Sequence, residues 1–394
     1  MLKPYQRILR LPGAFAFSST GWLARLPLSM VGLGLVLLVS QRTGSYGLAG
    51  TVSAAYVLAA ALSAPVQGRL VDRVGQAPVL RIVGSMFAVG MTLTIVSIEA
   101  DWSLPWPHIC AALAGLTSTQ VGSMVRARWS FIIKNRSQLT TAFGLEAILD
   151  EMVFIVGPVL VTVLATTVSP VAGLAAAAIA AFAGTLMLAS QKATQPPPSP
   201  HSAGDRLPMG WRLLGPVLVA CVALGILFGS TEVIVVAFAT ELGQRAASGP
   251  LLAIWAAGSL TGGLAAGAAN LTMSPLQQLR FSILALTLLV APLGFLDSVY
   301  LLGVGMFAAG FMIAPTMIAA MNLIYAHIPA SRLTEGMTWT SMGLSVGVAP
   351  GAALAGWAVD HSGASSGFLV PFLAGAGATL VAWGFRPPPL PTGR

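Results

Sequence analysis

The chain has 394 residues, of which 56% are hydrophobic and only 8% charged, and its mean hydropathy is +0.84. A soluble domain carries about 25% charged residues, so this composition excludes a soluble globular fold and identifies an integral membrane protein. The net charge of +8 is gathered into particular loops, which points to membrane topology rather than to nucleic-acid binding.

Lys3, Arg7 and Arg10 precede an apolar run from Phe15 to Val39. That run is too long for the apolar region of a cleaved signal peptide, about 7–15 residues, and is read as an uncleaved first span. A spanning helix needs about 20 mostly apolar residues. Six such segments come first: Phe15–Ser40, Tyr46–Gln67, Val79–Ile98, Pro107–Arg126, Thr141–Val163 and Val168–Ser190. Six more follow: Leu213–Phe238, Ser248–Asn270, Leu276–Leu296, Val299–Asn322, Gly336–Val359 and Gly367–Phe385. The expected organisation is a six-helix half over 1–190, a polar cytoplasmic linker over 191–212, a second six-helix half over 213–385 and a proline-rich, disordered tail over 386–394.

With the N-terminus inside, seventeen of the 20 Lys and Arg residues fall in cytoplasmic segments. The positive-inside rule therefore places both termini in the cytoplasm of a multi-pass protein of the cell membrane. The chain also repeats weakly. Ser137-Gln-Leu-Thr140 precedes the fifth span, and Ser331-Arg-Leu-Thr334 precedes the eleventh, 194 residues later. Each copy is followed by a span with a Gly/Pro pair, Gly157-Pro158 in one and Pro350-Gly351 in the other. Duplicated halves of this kind recur in secondary transporters.

Five charged residues fall well inside the spans: Arg25, Glu146, Asp150, Glu151 and Glu232. One charge at the bilayer centre costs about 2.5–3.5 kcal/mol on insertion scales, so three carboxylates in one helix need a partner or a proton. Arg25 and Asp150 lie at similar depths, roughly 15 Å into their spans, which makes an Arg25–Asp150 or Arg25–Glu151 pair the expected relief. Glu146 and Asp150 share a helix face, whereas Glu151 points about 100° away. One acid can pair with Arg25 while another faces a cavity and carries a proton; a static network that fixes helix packing is the alternative. Glu232 can bind a cationic substrate or reach interfacial water. Gln120, Thr338, Trp339 and Ser341 stand in polar or aromatic stretches of the fourth and eleventh spans and either line a cavity or bond to helix backbone. Pro158, after Gly157, should kink the fifth span and free a carbonyl.

Between the second and third spans stands Gly68-Arg-Leu-Val-Asp72-Arg73-Val-Gly75. This loop resembles the G-x-L-x-D-R-x-G signature of the major facilitator superfamily, at the place where that family carries it. With twelve spans in two halves, the resemblance covers essentially the whole chain. It implies an all-α membrane protein of the major facilitator fold, with twelve transmembrane helices in two six-helix halves around a cavity. It also implies that Asp72 works as a conformational latch, with Arg126 or Arg128 as a partner. The glycines suit a tight turn, and Asp72 can accept bonds from a helix N-terminus. Three departures stand out: Gln76 and Ala77 occupy positions that are often basic, the equivalent loop of the second half has Asn270 and no Asp-Arg pair, and the fourth span carries Arg126 and Arg128 at its end rather than in its interior. Gly157-Pro158 is similar to the core of the Gly-Pro motif of bacterial drug and metabolite efflux members.

No histidine cluster, metal-ligand spacing or phosphate-binding glycine loop appears in the sequence, since His108, His201, His327 and His361 fall at span ends or in loops. Nothing resembles an enzyme centre, and no cofactor or metal is expected. Cys110 and Cys221 lie in apolar runs and read as small buried hydrophobes. The reading is therefore a monomeric secondary transporter in the lipid bilayer, with a small molecule and protons as its partners. Export of an amphipathic compound is favoured, and proton-coupled import of a nutrient or metabolite is the alternative.

Overall fold

The computed structural model of the protein describes residues 3–198, 211–268, 273–327 and 333–385, and every regular element among them is helical. A short α1 (Lys3–Leu9) leads into α2 (Ala14–Arg25), α3 (Pro27–Thr43), α4 (Tyr46–Val74), α5 (Gln76–Glu99), α6 (Trp106–Leu116), α7 (Val121–Ile132), α8 (Arg136–Thr167) and α9 (Ala172–Ser190). After the linker come α10 (Trp211–Glu241), α11 (Ser248–Ala268), α12 (Pro275–Val290), α13 (Val299–Phe311), α14 (Ile313–His327), α15 (Leu333–Ser362), α16 (Ala364–Gly367) and α17 (Leu369–Gly384). Linker residues 199–210 and tail residues 386–394 lie outside the described residues.

Among the described residues, eleven helical segments are long and apolar enough to cross a membrane. The expected fourth span, Pro107–Arg126, is the exception, because it is broken into α6 and α7 at Thr117-Ser-Thr-Gln120. Four consecutive polar residues compete with the backbone for hydrogen bonds. The Thr117 hydroxyl turns back to the carbonyls of Leu113, at 2.9 Å, and Ala114, at 3.0 Å. The freed carbonyls are not left bare: Gln67 Nε2 of α4 donates to Leu116 O and Ser118 O, each at 3.0 Å. Irregular backbone at membrane depth survives only when protein satisfies it in this way. Two other expected spans are jointed. The first divides at Leu26, just before Pro27, and the tenth divides at Met312 into α13 and α14. The fourth helix of each half is thus interrupted.

Contacts divide the chain into two compact units, Met1–Leu38 with Leu58–Ala203 and Val39–Val57 with Gly204–Arg394. Residues 39–57 group with the second unit. The reason is visible in glycines: a methyl group on Gly50 of α4 would meet the Ala352 carbonyl of α15, and one on Gly356 of α15 would meet the Tyr46 carbonyl.

Within the first unit, α5 packs closely on α6 and α9; Gly90 lies against the Ala114 backbone and Gly84 against Thr185. Two arginines hold helix ends. Arg128 donates to Leu188 O at 3.0 Å and Gln191 O at 2.8 Å, at the C-terminus of α9. In the second unit Arg280 donates to Ala382 O at 2.9 Å and Phe385 O at 2.6 Å, at the C-terminus of α17. Cations suit these carbonyl-bearing ends.

The second unit is built on α10 and α15. Gly225 and Gly229 of α10 approach the Leu344 and Val348 carbonyls, while Gly347 and Gly351 of α15 approach those of Val222 and Ile226. Small residues let helix backbones touch in a medium where apolar side chains gain nothing by leaving lipid. A larger side chain there has no room, and overpacking costs about 1–3 kcal/mol or more. Gly347→Val should therefore lower the melting temperature of the purified protein by several degrees. Gly377→Val, at an exposed glycine with nothing within 4 Å, should leave it unchanged; equal melting curves for the two variants would refute the packing account.

Candidate functional site: a buried ion-pair network

The charged residues of the first unit converge. Arg25 is the last residue of α2, just before the joint at Leu26. Its Nε donates to Gly21 O at 3.0 Å. Its Nη1 donates to Asp150 Oδ1 at 2.6 Å, and its Nη2 pairs with Glu146 Oε2. Glu146 and Asp150, one turn apart on α8, thus share one guanidinium, as their common helix face allows. The planar fork of arginine suits such a double contact.

Glu146 is fully buried, and its other oxygen accepts from Ser18 Oγ and Trp129 Nε1, both at 2.8 Å. Trp129 is held edge-on against Phe17, with ring centroids 4.6 Å apart. Asp150, 27% exposed, takes a second cation: Arg126 Nη2 lies 2.5 Å from its Oδ2. Two arginines and two carboxylates therefore neutralise one another across α2, α7 and α8. Glu151, half-buried next to Asp150, forms no hydrogen bond or ion pair with any described residue. Glu232 of α10, also half-buried, is in the same position within the second unit.

Of the two expected pairings for Arg25, the structure forms the one with Asp150 and adds Glu146, which the sequence reading had placed on the correct face without a partner. Arg126 is the larger departure. It had been placed at the end of the fourth span and offered to Asp72. Because α7 continues to Ile132, Arg126 lies inside the helix and reaches Asp150 instead. Arg128 is likewise engaged elsewhere: its Nε donates to Gln76 Oε1 at 2.8 Å and its Nη1 to Thr194 Oγ1 at 3.0 Å. Ser18, Trp129 and Gln76 were missed altogether. Gln76 carries the one available signal, a polar residue where the signature usually continues with cations; it is buried and also donates to Met124 O at 3.1 Å.

The signature segment closes α4 with a one-residue turn. Gly75 has φ +86°, a conformation that L side chains rarely adopt. Asp72 and Arg73 are exposed on the last turn of α4, and Gly68 lies within that helix with open space around it. The start of the linker docks here, with Gln195 Oε1 accepting from Ala77 N at 3.1 Å. Gly157 packs on Ser29, whose hydroxyl donates to Val153 O at 2.7 Å, and Pro158 lies within the continuous helix α8. Gln120 is exposed at the start of α7, and its side chain does not cap that helix. Trp339 packs against the apolar cluster around Val217 and Leu323. The side chains of Thr338 and Ser341 lie outside the described residues.

Comparison with known proteins agrees with this architecture. The family model of the Major Facilitator Superfamily matches residues 17–299. Among solved structures, a mutant of the nucleoside transporter NupG is similar at a TM-score of 0.76 and 14% identity, covering 94% of this chain and 98% of that one. The peptide transporter POT in complex with sulfate is similar at a TM-score of 0.74 and 12% identity, covering 95% and 93%. No curated protein sequence matches. The model match spans well over half of the chain, and the two solved structures share its all-helical fold: this membrane protein belongs to the Major Facilitator Superfamily.

Proposed function

We propose that the protein is a proton-coupled secondary transporter that exports a small amphipathic molecule across the cytoplasmic membrane by alternating access, with Glu151 as the proton-carrying group. The observation that carries this reading is the division of labour among the acids of α8. Glu146 and Asp150 are matched by Arg25 and Arg126, which leaves Glu151 as the carboxylate of α8 whose charge has no partner among the described residues. An unpaired carboxylate in a low dielectric holds its charge only at a cost that a proton removes, so it can load and release a proton as its surroundings change. Glu232 is the second such group and serves the proton or a cationic substrate. Export rests on Gly157-Pro158 and on the apolar character of the spans, and both termini are assigned to the cytoplasm by the positive-inside rule.

A thermal-shift screen against drugs, sugars, amino acids and organic anions supplies the substrate, and transport is then measured in proteoliposomes under an imposed proton gradient. Glu151→Gln should abolish gradient-driven accumulation while allowing downhill exchange. Glu146→Gln should instead fail at the level of folding, because breaking a buried pair strands the remaining charge at about 3–5 kcal/mol. If Glu151→Gln concentrates substrate as well as the wild type, the coupling site lies elsewhere. Accumulation driven toward the acidic side marks export, and accumulation away from it marks import.

Two further outcomes follow from the same reading. Asp72→Asn should slow turnover with substrate affinity roughly intact, since a carboxylate holds a helix end best when charged; unchanged turnover at equal expression removes the latch. A cysteine at Lys134 should resist impermeant reagents applied outside intact cells, and strong labelling there would invert the topology.

A further inference from the structure

The end of α4 opposite the signature loop carries a second, unexpected contact. Asp360, at the end of α15, accepts from the backbone amides of Tyr46 and Gly47, each at 2.7 Å, and from Ser45 Oγ at 2.8 Å. The first amides of a helix have no partner within it, and a carboxylate is the group that best satisfies them. Here that carboxylate comes from a helix more than 300 residues away in sequence. We propose that Asp360 is a releasable latch on the N-terminus of α4, the counterpart of the latch that the signature loop forms at the other end of the same helix. The inference rests on the alternating-access reading.

Three features make the contact breakable. First, α4 already has its own cap: Ser45 Oγ accepts from Leu48 N at 3.1 Å, so the helix start survives the departure of Asp360. Second, Asp360 is exposed, so water can replace the donors it releases. Third, glycines line the seam below the latch. Gly47 faces Asp360, Gly50 faces the Ala352 backbone and Gly356 faces the Tyr46 backbone. The platform that presents Asp360 is fixed by other bonds. Glu241 Oε1 accepts from Ala364 N at 2.8 Å, and Ser366 Oγ donates to Ala358 O at 3.0 Å. The division of α4 fits such a release: residues 46–57 group with the second unit and residues 58–74 with the first.

Reactivity of a buried cysteine in the seam tests the latch on the full-length protein. Cys110 and Cys221 are replaced by Ala, and Ser53, 2% exposed and one turn beyond Gly50, is replaced by Cys. The rate of maleimide labelling in detergent then reports opening of the seam whichever way the chain is inserted. Asp360→Ala should raise that rate about five- to tenfold, as expected for loss of charge-assisted hydrogen bonds. Asp360→Asn, which keeps one acceptor, should fall between. A cysteine at Thr94, fully buried in α5, should label at an unchanged slow rate. If labelling at position 94 rises in step, the alanine variant has lost its fold and Asp360→Asn decides, with increased labelling at 53 alone supporting the latch. Unchanged labelling at 53 in a folded Asp360 variant that transports at the wild-type rate overturns it. A wild-type chain that moves no substrate would remove the transport reading while leaving these labelling rates interpretable on their own.

Discussion

An ionised side chain inside a bilayer must find its counter-charge in protein, and the first unit is organised around that demand. Arg25, the last residue of α2, meets both Glu146 and Asp150, which α8 presents on one face. Arg126 reaches Asp150 only because the fourth helix, after its break, runs on as α7 to Ile132. The Trp129 indole and the Ser18 hydroxyl then fill the remaining capacity of Glu146. Three helices are thus registered against one another by hydrogen bonds whose loss would leave charge uncompensated. That specificity is something apolar packing in lipid does not supply. Glu151, one residue further along, lies outside this network and forms no hydrogen bond or ion pair with any described residue.

The second unit follows another rule. Its central pair, α10 and α15, meets through glycines, with backbone carbonyls where side chains would interdigitate. Such a surface offers close contact and little that must be unlocked. It is extended by Gly50 and Gly356 to the start of α4. A polar network that fixes geometry and a glycine seam that permits parting are complementary materials for a protein that must hold a site rigid while its helices move.

Much of this was legible in the sequence. Apolar runs gave the spans, because length and hydropathy act locally. The face shared by Glu146 and Asp150 followed from helix geometry, and the depth of Arg25 from counting residues along its span. What failed to show was long-range or depended on a helix end. Arg126 and Arg128 looked alike in a basic stretch, yet one serves Asp150 and the other caps α9, a difference of side-chain direction on a helix whose end was drawn too early. Trp129 gave no signal, since an indole near a span end is commonly an interface residue. The packing of residues 39–57 with the second unit depends on glycines in α4 and α15 that only a structure brings together.

The break in the fourth span has a consequence for bookkeeping on the membrane. Twelve crossings return the chain to the face from which it started, whereas eleven leave its two ends on opposite faces. Because α6 and α7 are each too short to span alone, a reader who counts long helices drops one crossing and thereby reverses the assignment of every loop from α8 onward. Gln67, by bonding the carbonyls of Leu116 and Ser118, lets a polar tetrapeptide sit where a helix should be continuous.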